Sequence, residues 1–212
     1  MAIAVDRYEL GPMGTNCYVV RKDRAASEAV VVDASGSATE LRLELARAGA
    51  RCVAILITHG HWDHIVGVAE LAEGTGAKVH IAAEEEFMIA RATEFSPPGI
   101  RVREFVPDVL LEGDETLELT GISFETLRVP GHSPGHLAFH ARGYLFSGDV
   151  LFAGSVGRTD LPLGDWDALV ESLRMLVDRF PPETIVCPGH GPETTLGAEI
   201  SQNPFLAPLR AP

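Results

Sequence analysis

Residues 53–57, Val-Ala-Ile-Leu-Ile, are an unbroken apolar run, and the chain passes from it straight into Thr58-His59-Gly60-His61-Trp62-Asp63-His64. No other feature constrains the fold as much. A continuous aliphatic run suits a strand buried on both faces. Beyond the motif, Ile65, Val68, Leu71 and Ala72 recur at helical spacing. The motif therefore lies on a strand-to-helix loop, with Asp63 and His64 at the helix start. A carboxylate is favourable there, because a helix N-terminus carries partial positive charge. On such a loop the alternate residues His59 and His61 can face one point, and Asp63 and His64 a neighbouring point. That pattern suits two ions sharing one site, and imidazole and carboxylate are zinc-type ligands.

Three further segments repeat the arrangement. Gly131-His132-Ser133-Pro134-Gly135-His136, Ser147-Gly148-Asp149 and Pro188-Gly189-His190-Gly191 each follow an apolar run and carry a ligand-type residue among Gly or Pro. Four such strand ends can converge on one rim. Gly157-Arg158-Thr159-Asp160 reads as a substrate-contact loop. His80, His136 and His140 fall outside this cluster and read as surface or hydrogen-bonded core histidines. Strands are expected over residues 3–8, 17–21, 29–33, 53–57, 78–82, 115–119, 122–129, 137–140, 144–147 and 184–186. Helices are expected over 37–48 (capped by Ser37), after the metal-type motif, over 83–93 and over 166–179. Strands and helices mix through both halves, which suggests a layered α/β fold with central sheets and outer helices.

The chain has 212 residues, 46% of them apolar, enough for a substantial core. One domain over residues 1–212 fits, since no linker or internal repeat divides it. A formal net charge of −13 weighs against a nucleic-acid partner. Cys17, Cys52 and Cys187 are widely spaced and odd in number, so they read as reduced core thiols. The first residues lack a basic segment followed by an apolar one, and no apolar run approaches the ~20 residues of a membrane span. A cytoplasmic protein with no membrane partner is the expectation.

The spacing His59-x-His61-x-Asp63-His64 resembles the hallmark of the metallo-β-lactamase superfamily. The resemblance extends through GHSPGH at 131–136, SGD at 147–149 and PGHGP at 188–192. It implies an αββα sandwich of two mixed sheets flanked by helices. Residues 148–160 and the tail from Thr195-Leu196-Gly197 to Asn203-Pro204-Phe205 are most similar to small glyoxalase II (hydroxyacylglutathione hydrolase)-like proteins. By that resemblance, His59, His61 and His132 bind a first metal, Asp63, His64 and His190 a second, and Asp149 bridges them. Zinc is the expected ion, with iron or manganese as alternatives. The set contains no cysteine, unlike some true β-lactamases, which argues against a lactamase.

The same resemblance implies hydrolysis of a small-molecule thioester, such as an S-hydroxyacyl thiol. A hydroxide shared by the two ions is the nucleophile. Asp63 is the catalytic carboxylate that orients the hydroxide, and Arg158 is the partner for a substrate carboxylate. Two departures stand out. The helical region that helps hold glutathione in full-length glyoxalase II has no counterpart before Pro212, and Asp160 stands where the family carries Tyr after its basic residue. The alternative on the same fold is a mononuclear-iron persulfide dioxygenase using His59, His132 and Asp149. A metal-dependent nuclease and a catalytically silent binding module are weaker rivals. Oligomeric state is not legible.

Overall fold

The computed structural model describes residues 2–210. Fourteen strands follow in chain order: β1 Ala4–Leu10, β2 Thr15–Arg21, β3 Glu28–Val32, β4 Arg51–Leu56, β5 Lys78–Ala82, β6 Val109–Leu111, β7 Thr116–Leu119, β8 Ile122–Arg128, β9 Leu137–Ala141, β10 Tyr144–Gly148, β11 Leu151–Phe152, β12 Ser155–Val156, β13 Ile185–Pro188 and β14 Thr194–Thr195. The helices are α1 Ala38–Arg47, α2 Trp62–Ile65, α3 Val68–Thr75, α4 Glu86–Ala90, α5 Ala92–Phe95, α6 Trp166–Arg179 and α7 Leu196–Gln202.

One sheet has the order β1-β2-β3-β4-β5-β6 and the other β14-β13-β10-β9-β8-β7. Both are mixed. In the first, β3, β4, β5 and β6 are parallel neighbours, whereas β1 and β2 join antiparallel. In the second, only β10 and β13 pair in parallel. The alternation of side chains along each strand sorts the apolar residues into three layers. Val20, Val30, Val32, Leu56, Phe124, Phe139 and Phe146 fill the space between the sheets. Val19, Val31 and Ile55 point the other way, against Leu41, Leu45 and Leu71 of α1 and α3. On the far side, Leu127, Ala138, Leu145 and Val186 meet Leu169, Leu173 and Leu176 of α6. The Val-rich strands are thus buried on both faces, and the molecule is the expected αββα sandwich. Cys17, Cys52 and Cys187 are free and buried. Burial pushes all three thiols up, Cys52 to about 12, which leaves them unreactive at neutral pH.

The Ser37 cap is as the sequence suggests, and the structure adds a second at Asp165. Ser37 accepts from the Thr39 N–H at the start of α1, and Asp165 from the Ala168 N–H at the start of α6. Two expected helices differ. The one after the metal-type motif is split into α2 and α3 at Gly67, whose N–H donates to Ala34 O at 2.8 Å. A Cβ on Gly67 would lie 2.6 Å from Gly36 O, so only glycine permits this approach. The continuous helix expected over 83–93 is a 3₁₀ turn (Ala83–Glu85) followed by α4 and α5, broken at Arg91. The Glu85 side chain is drawn inward to the ligand loops, and that tertiary demand overrides helical periodicity. Among the described residues no helix is long and apolar enough to cross a membrane.

Candidate metal centre

The strand directions bring the four loops together. β8 and β10 both run antiparallel to β9, and β13 runs parallel to β10, so β8, β10 and β13 end at one edge of their sheet. Those ends carry His132, Asp149 and His190. From the other sheet, β4 delivers His59 to His64. The edges are joined directly: Leu137 N–H donates to Thr58 O at 2.8 Å and Asn16 N–H to Gly189 O at 2.7 Å. The Asn16 side chain adds bonds to Pro188 O and Gly191 O, which fix the loop bearing His190.

All seven expected donors meet there. His59, His61 and His132 form one group, His59, His64 and Asp149 a second, and Asp63, His64 and His190 a third, each with its donor atoms within 4.8 Å of one another. His61 Nδ1 lies 3.0 Å from His59 Nε2 and 2.8 Å from His132 Nε2. His190 Nε2 lies 3.3 Å from Asp63 Oδ2 and 3.5 Å from Asp149 Oδ2. Asp149 Oδ2 is also 3.6 Å from His132 Nε2, and its Oδ1 is 3.3 Å from His64 Nε2. Donors on a tetrahedral zinc-like ion stand about 3.3 Å apart, given bonds of about 2.0–2.1 Å. The spacing fits two ions with Asp149 between them. Two of these atoms, His64 Nε2 and Asp149 Oδ1, are buried with no well-aligned hydrogen bond, only each other at 3.3 Å, and a cation between them would satisfy both.

The outward nitrogens set the tautomers. His132 Nδ1 faces Arg158 O at 2.8 Å, and a carbonyl only accepts, so the proton sits on Nδ1 and Nε2 keeps its lone pair. His64 Nδ1 donates in the same way to Asp33 Oδ2 at 2.9 Å. Thr58 O–H donates to Asp33 Oδ2 at 2.8 Å and thereby accepts from His59 Nδ1 at 3.0 Å. One buried carboxylate, Asp33, thus orients a donor of each trio. Glu85, also buried, accepts from Gly60 N–H at 2.9 Å and Gly135 N–H at 2.8 Å, tying the loop of His59 and His61 to that of His132. Asp33, Thr58 and Glu85 were not singled out in the sequence, since nothing in their local pattern marks them as supports. Gly189 is required by contact: a Cβ there would sit 2.1 Å from Asp149 Oδ1.

His136 is the hydrogen-bonded core histidine expected of it. It is fully buried, stacks on His59 with ring centroids 4.7 Å apart, and accepts the Asp149 N–H at 3.0 Å. His140 lies on β9 near Glu125 and Phe180, and His80 is buried on β5. Arg158 lines the cleft over the centre, but its guanidinium is engaged by Asp160 through two bonds of 2.7 and 2.8 Å. The pair is exposed on both sides and so is weak, and a substrate carboxylate at Arg158 competes with Asp160.

Protonation divides the two trios. Burial, reinforced by neighbouring imidazoles, holds His59 well below the usual histidine range and His61 at about 4; burial also lowers His132. Burial opposes charge on His64 and His190 as well, but there the carboxylates prevail. Asp149, Asp63 and Asp33 hold His64 well above its usual range, and Asp149 and Asp63 lift His190 to about 9. Asp63, raised by burial but lowered more by His64 and His190, settles at about 2. At pH 7 the first trio offers lone pairs, whereas the second must release protons before it can bind a cation. Calorimetric titration of metal-free protein in buffers of different ionisation enthalpy should give more proton release for the second equivalent of zinc than for the first. The second equivalent should also be the first lost on dialysis from pH 8 to pH 6. Equal proton release for both equivalents would contradict this division.

Comparison with known proteins agrees with the architecture. A profile of the metallo-beta-lactamase superfamily matches residues 10–190. The chain is 35% identical over 199 residues to the hydroxyacylglutathione hydrolase GloC of Haemophilus influenzae, covering 90% of this chain and 92% of that protein. It superposes on the crystal structure of the BLEG-1 B3 metallo-beta-lactamase with a TM-score of 0.90 at 36% identity, over 96% of this chain and all (100%) of the other. It also superposes on TTHA1623, crystallised in a di-iron-bound form, with a TM-score of 0.77 at 40% identity, over 95% and 100% of the two chains. With the donor constellation at the edge of two mixed sheets and a profile match across most of its length, this chain belongs to the metallo-β-lactamase superfamily.

Proposed function

We propose that this metallo-hydrolase cleaves a thioester, of the S-hydroxyacyl thiol kind, at the centre formed by His59, His61, His132, Asp63, His64, His190 and Asp149. The observation that carries the reading is the pair of converging donor trios with Asp149 between them, opening into a cleft of about 810 Å³. The 35% identity to a hydroxyacylglutathione hydrolase supports the substrate class. His59, His61 and His132 would hold one divalent ion, Asp63, His64 and His190 the other, and Asp149 both. Bound there, the ions supply Lewis acidity and bring the pKa of water toward 7.

The chain's own groups do the rest. Asp63, its Oδ2 held by the Thr15 hydroxyl at 2.8 Å, is anionic at neutral pH, and its second carboxylate oxygen can accept a hydrogen bond from the attacking water. Trp62 and Met88 wall the cleft beside it with apolar surface. The water oxygen bonds to the carbonyl carbon, the C–S bond breaks, one of the water's two protons goes to the leaving thiolate and the other to solvent, and the products are a carboxylate and a thiol. A thiol of pKa about 8.5 leaves readily as its anion, so no dedicated general acid is needed.

The test is metal analysis beside a substrate panel. Two equivalents of divalent metal with thiol release from a 2-hydroxyacyl thioester are expected. A second reading, a mononuclear-iron persulfide dioxygenase, uses His59, His132 and Asp149. Binding of one iron, oxygen uptake with glutathione persulfide and no thioester cleavage would replace the hydrolase reading. A chromogenic β-lactam belongs in the panel, given the likeness to a protein described as a B3 metallo-beta-lactamase. Turnover of the lactam alone would also overturn the thioesterase assignment.

A further inference from the structure

The walls of the cleft differ in character from its floor. Met13, Trp62, Met88, Phe95, Phe152 and Leu163 form most of the surface around the donors. Among the described residues lining the cleft, Arg158 is the one arginine or lysine, and Asp160 already occupies its fork. The other charged wall residue, Glu94, is acidic and is paired with Arg91 at 3.4 Å. Met13 and Leu163 stand at the mouth, each 58% exposed, so apolar surface is left in water where a bound molecule could cover it.

Leu163 carries a second signal. Gly164 N–H donates to Leu161 O at 3.0 Å, closing a turn over Pro162 and Leu163, and Leu163 has a φ of +71°. Glycine or asparagine is the ordinary occupant of such a position, and a branched side chain there is strained. A leucine that is strained, exposed and facing the cleft gains nothing from the fold itself. A ligand covering this side chain would supply the stabilisation that the fold does not.

Resting on the thioesterase reading above, we propose that the leaving thiol is apolar and uncharged, and that Asp160 is a specificity-determining residue that disfavours carboxylate-bearing thiols such as glutathione by pairing with Arg158. A glutathione thioester brings two carboxylates to cleft walls whose single arginine is already paired with Asp160 and which offer no other lysine or arginine to receive them. An aromatic or alkyl thiol instead covers Met13 and Leu163 and removes them from water.

Two thioesters with the same acyl group separate the cases: S-lactoylglutathione and the lactoyl thioester of benzyl mercaptan, each assayed on metal-loaded protein. The benzyl thioester should have the higher kcat/KM, by about tenfold or more, as expected for burying one large apolar group. Asp160→Asn should shift the ratio toward the glutathione substrate by about two- to fivefold, the range of an exposed ion pair. Leu163→Glu should lower kcat/KM for the benzyl substrate by about tenfold. The matching unreactive thioethers, titrated into metal-free protein and read by tryptophan fluorescence, should bind in the same order. If both thioesters are cleaved and the glutathione form is equal or better, or if Asp160→Asn leaves the ratio unmoved, the apolar assignment is wrong while the thioesterase reading stands. If neither is cleaved, the thioesterase reading itself fails and this assignment falls with it.

Discussion

Replacing His61 by alanine is expected to lower kcat/KM for thioester hydrolysis by roughly a thousandfold, since a metal supplies several kcal/mol of transition-state stabilisation and each ~1.4 kcal/mol is tenfold. His61 Nδ1 is the common neighbour of His59 Nε2 at 3.0 Å and His132 Nε2 at 2.8 Å. Without it, two imidazoles remain of the first trio, and metal content should drop from two equivalents toward one. The fold should survive. His61 is only half-buried and borders the cleft, so truncation opens space toward solvent and leaves no closed core cavity. In the metal-free state the melting temperature should move by no more than about 4 °C, the shift of ~1 kcal/mol in a chain of this size. A His61→Ala protein that kept both metals and cleaved a lactoyl thioester at the parent's rate would show that the centre lies elsewhere.

The ligand loops were legible because their chemistry is local. Histidine and aspartate beside glycine at the ends of apolar runs name themselves, and the strand runs show which residues are buried on both faces. The order of the strands was not legible, because pairing of β10 with β13 rests on contacts between residues some forty apart. The supports of the site were hidden for the same reason. Thr58 and Asp33 are 25 residues apart and meet only when β3 and β4 align, and Glu85 reaches Gly135 across 50 residues. Arg158 illustrates a different limit. Its place on the cleft follows from its motif, but the competing partner Asp160, two residues on, is decided by side-chain geometry. The 3₁₀ turn ending at Glu85 shows helical periodicity yielding to one buried carboxylate.

Asp33 is the support whose loss should be felt at both ions. It is 2% exposed and accepts three hydrogen bonds: Thr58 N–H on Oδ1 at 2.8 Å, and on Oδ2 the Thr58 hydroxyl at 2.8 Å and His64 Nδ1–H at 2.9 Å. Asp33→Ala leaves three donors buried without an acceptor, each costing about 1–3 kcal/mol. It also places alanine at a φ of +53°, where aspartate and asparagine are tolerated better. A loss of about 4–5 kcal/mol is a large share of the ~5–15 kcal/mol that holds a domain folded, so alanine should lower the melting temperature by roughly 10–15 °C. Asp33→Asn separates stability from function. Asparagine keeps the backbone conformation and one carbonyl, but its amide N–H₂ cannot accept, so at least one of the three donors faces a donor. Two effects on His64 then compete. Removing the Asp33 charge eases deprotonation of the ring, which favours metal; losing the acceptor frees the remaining proton to settle on Nε2, which blocks metal. Asp33 contributes less to that charge than Asp149 and Asp63 do, whereas its hydrogen bond to Nδ1 is what fixes the tautomer that leaves Nε2 free for metal. Metal affinity at the second site should therefore fall about 10- to 100-fold, as for other partners of metal-binding histidines. Chelator competition measures it directly, and unchanged affinity in a folded Asp33→Asn protein would remove Asp33 from any role in orienting His64.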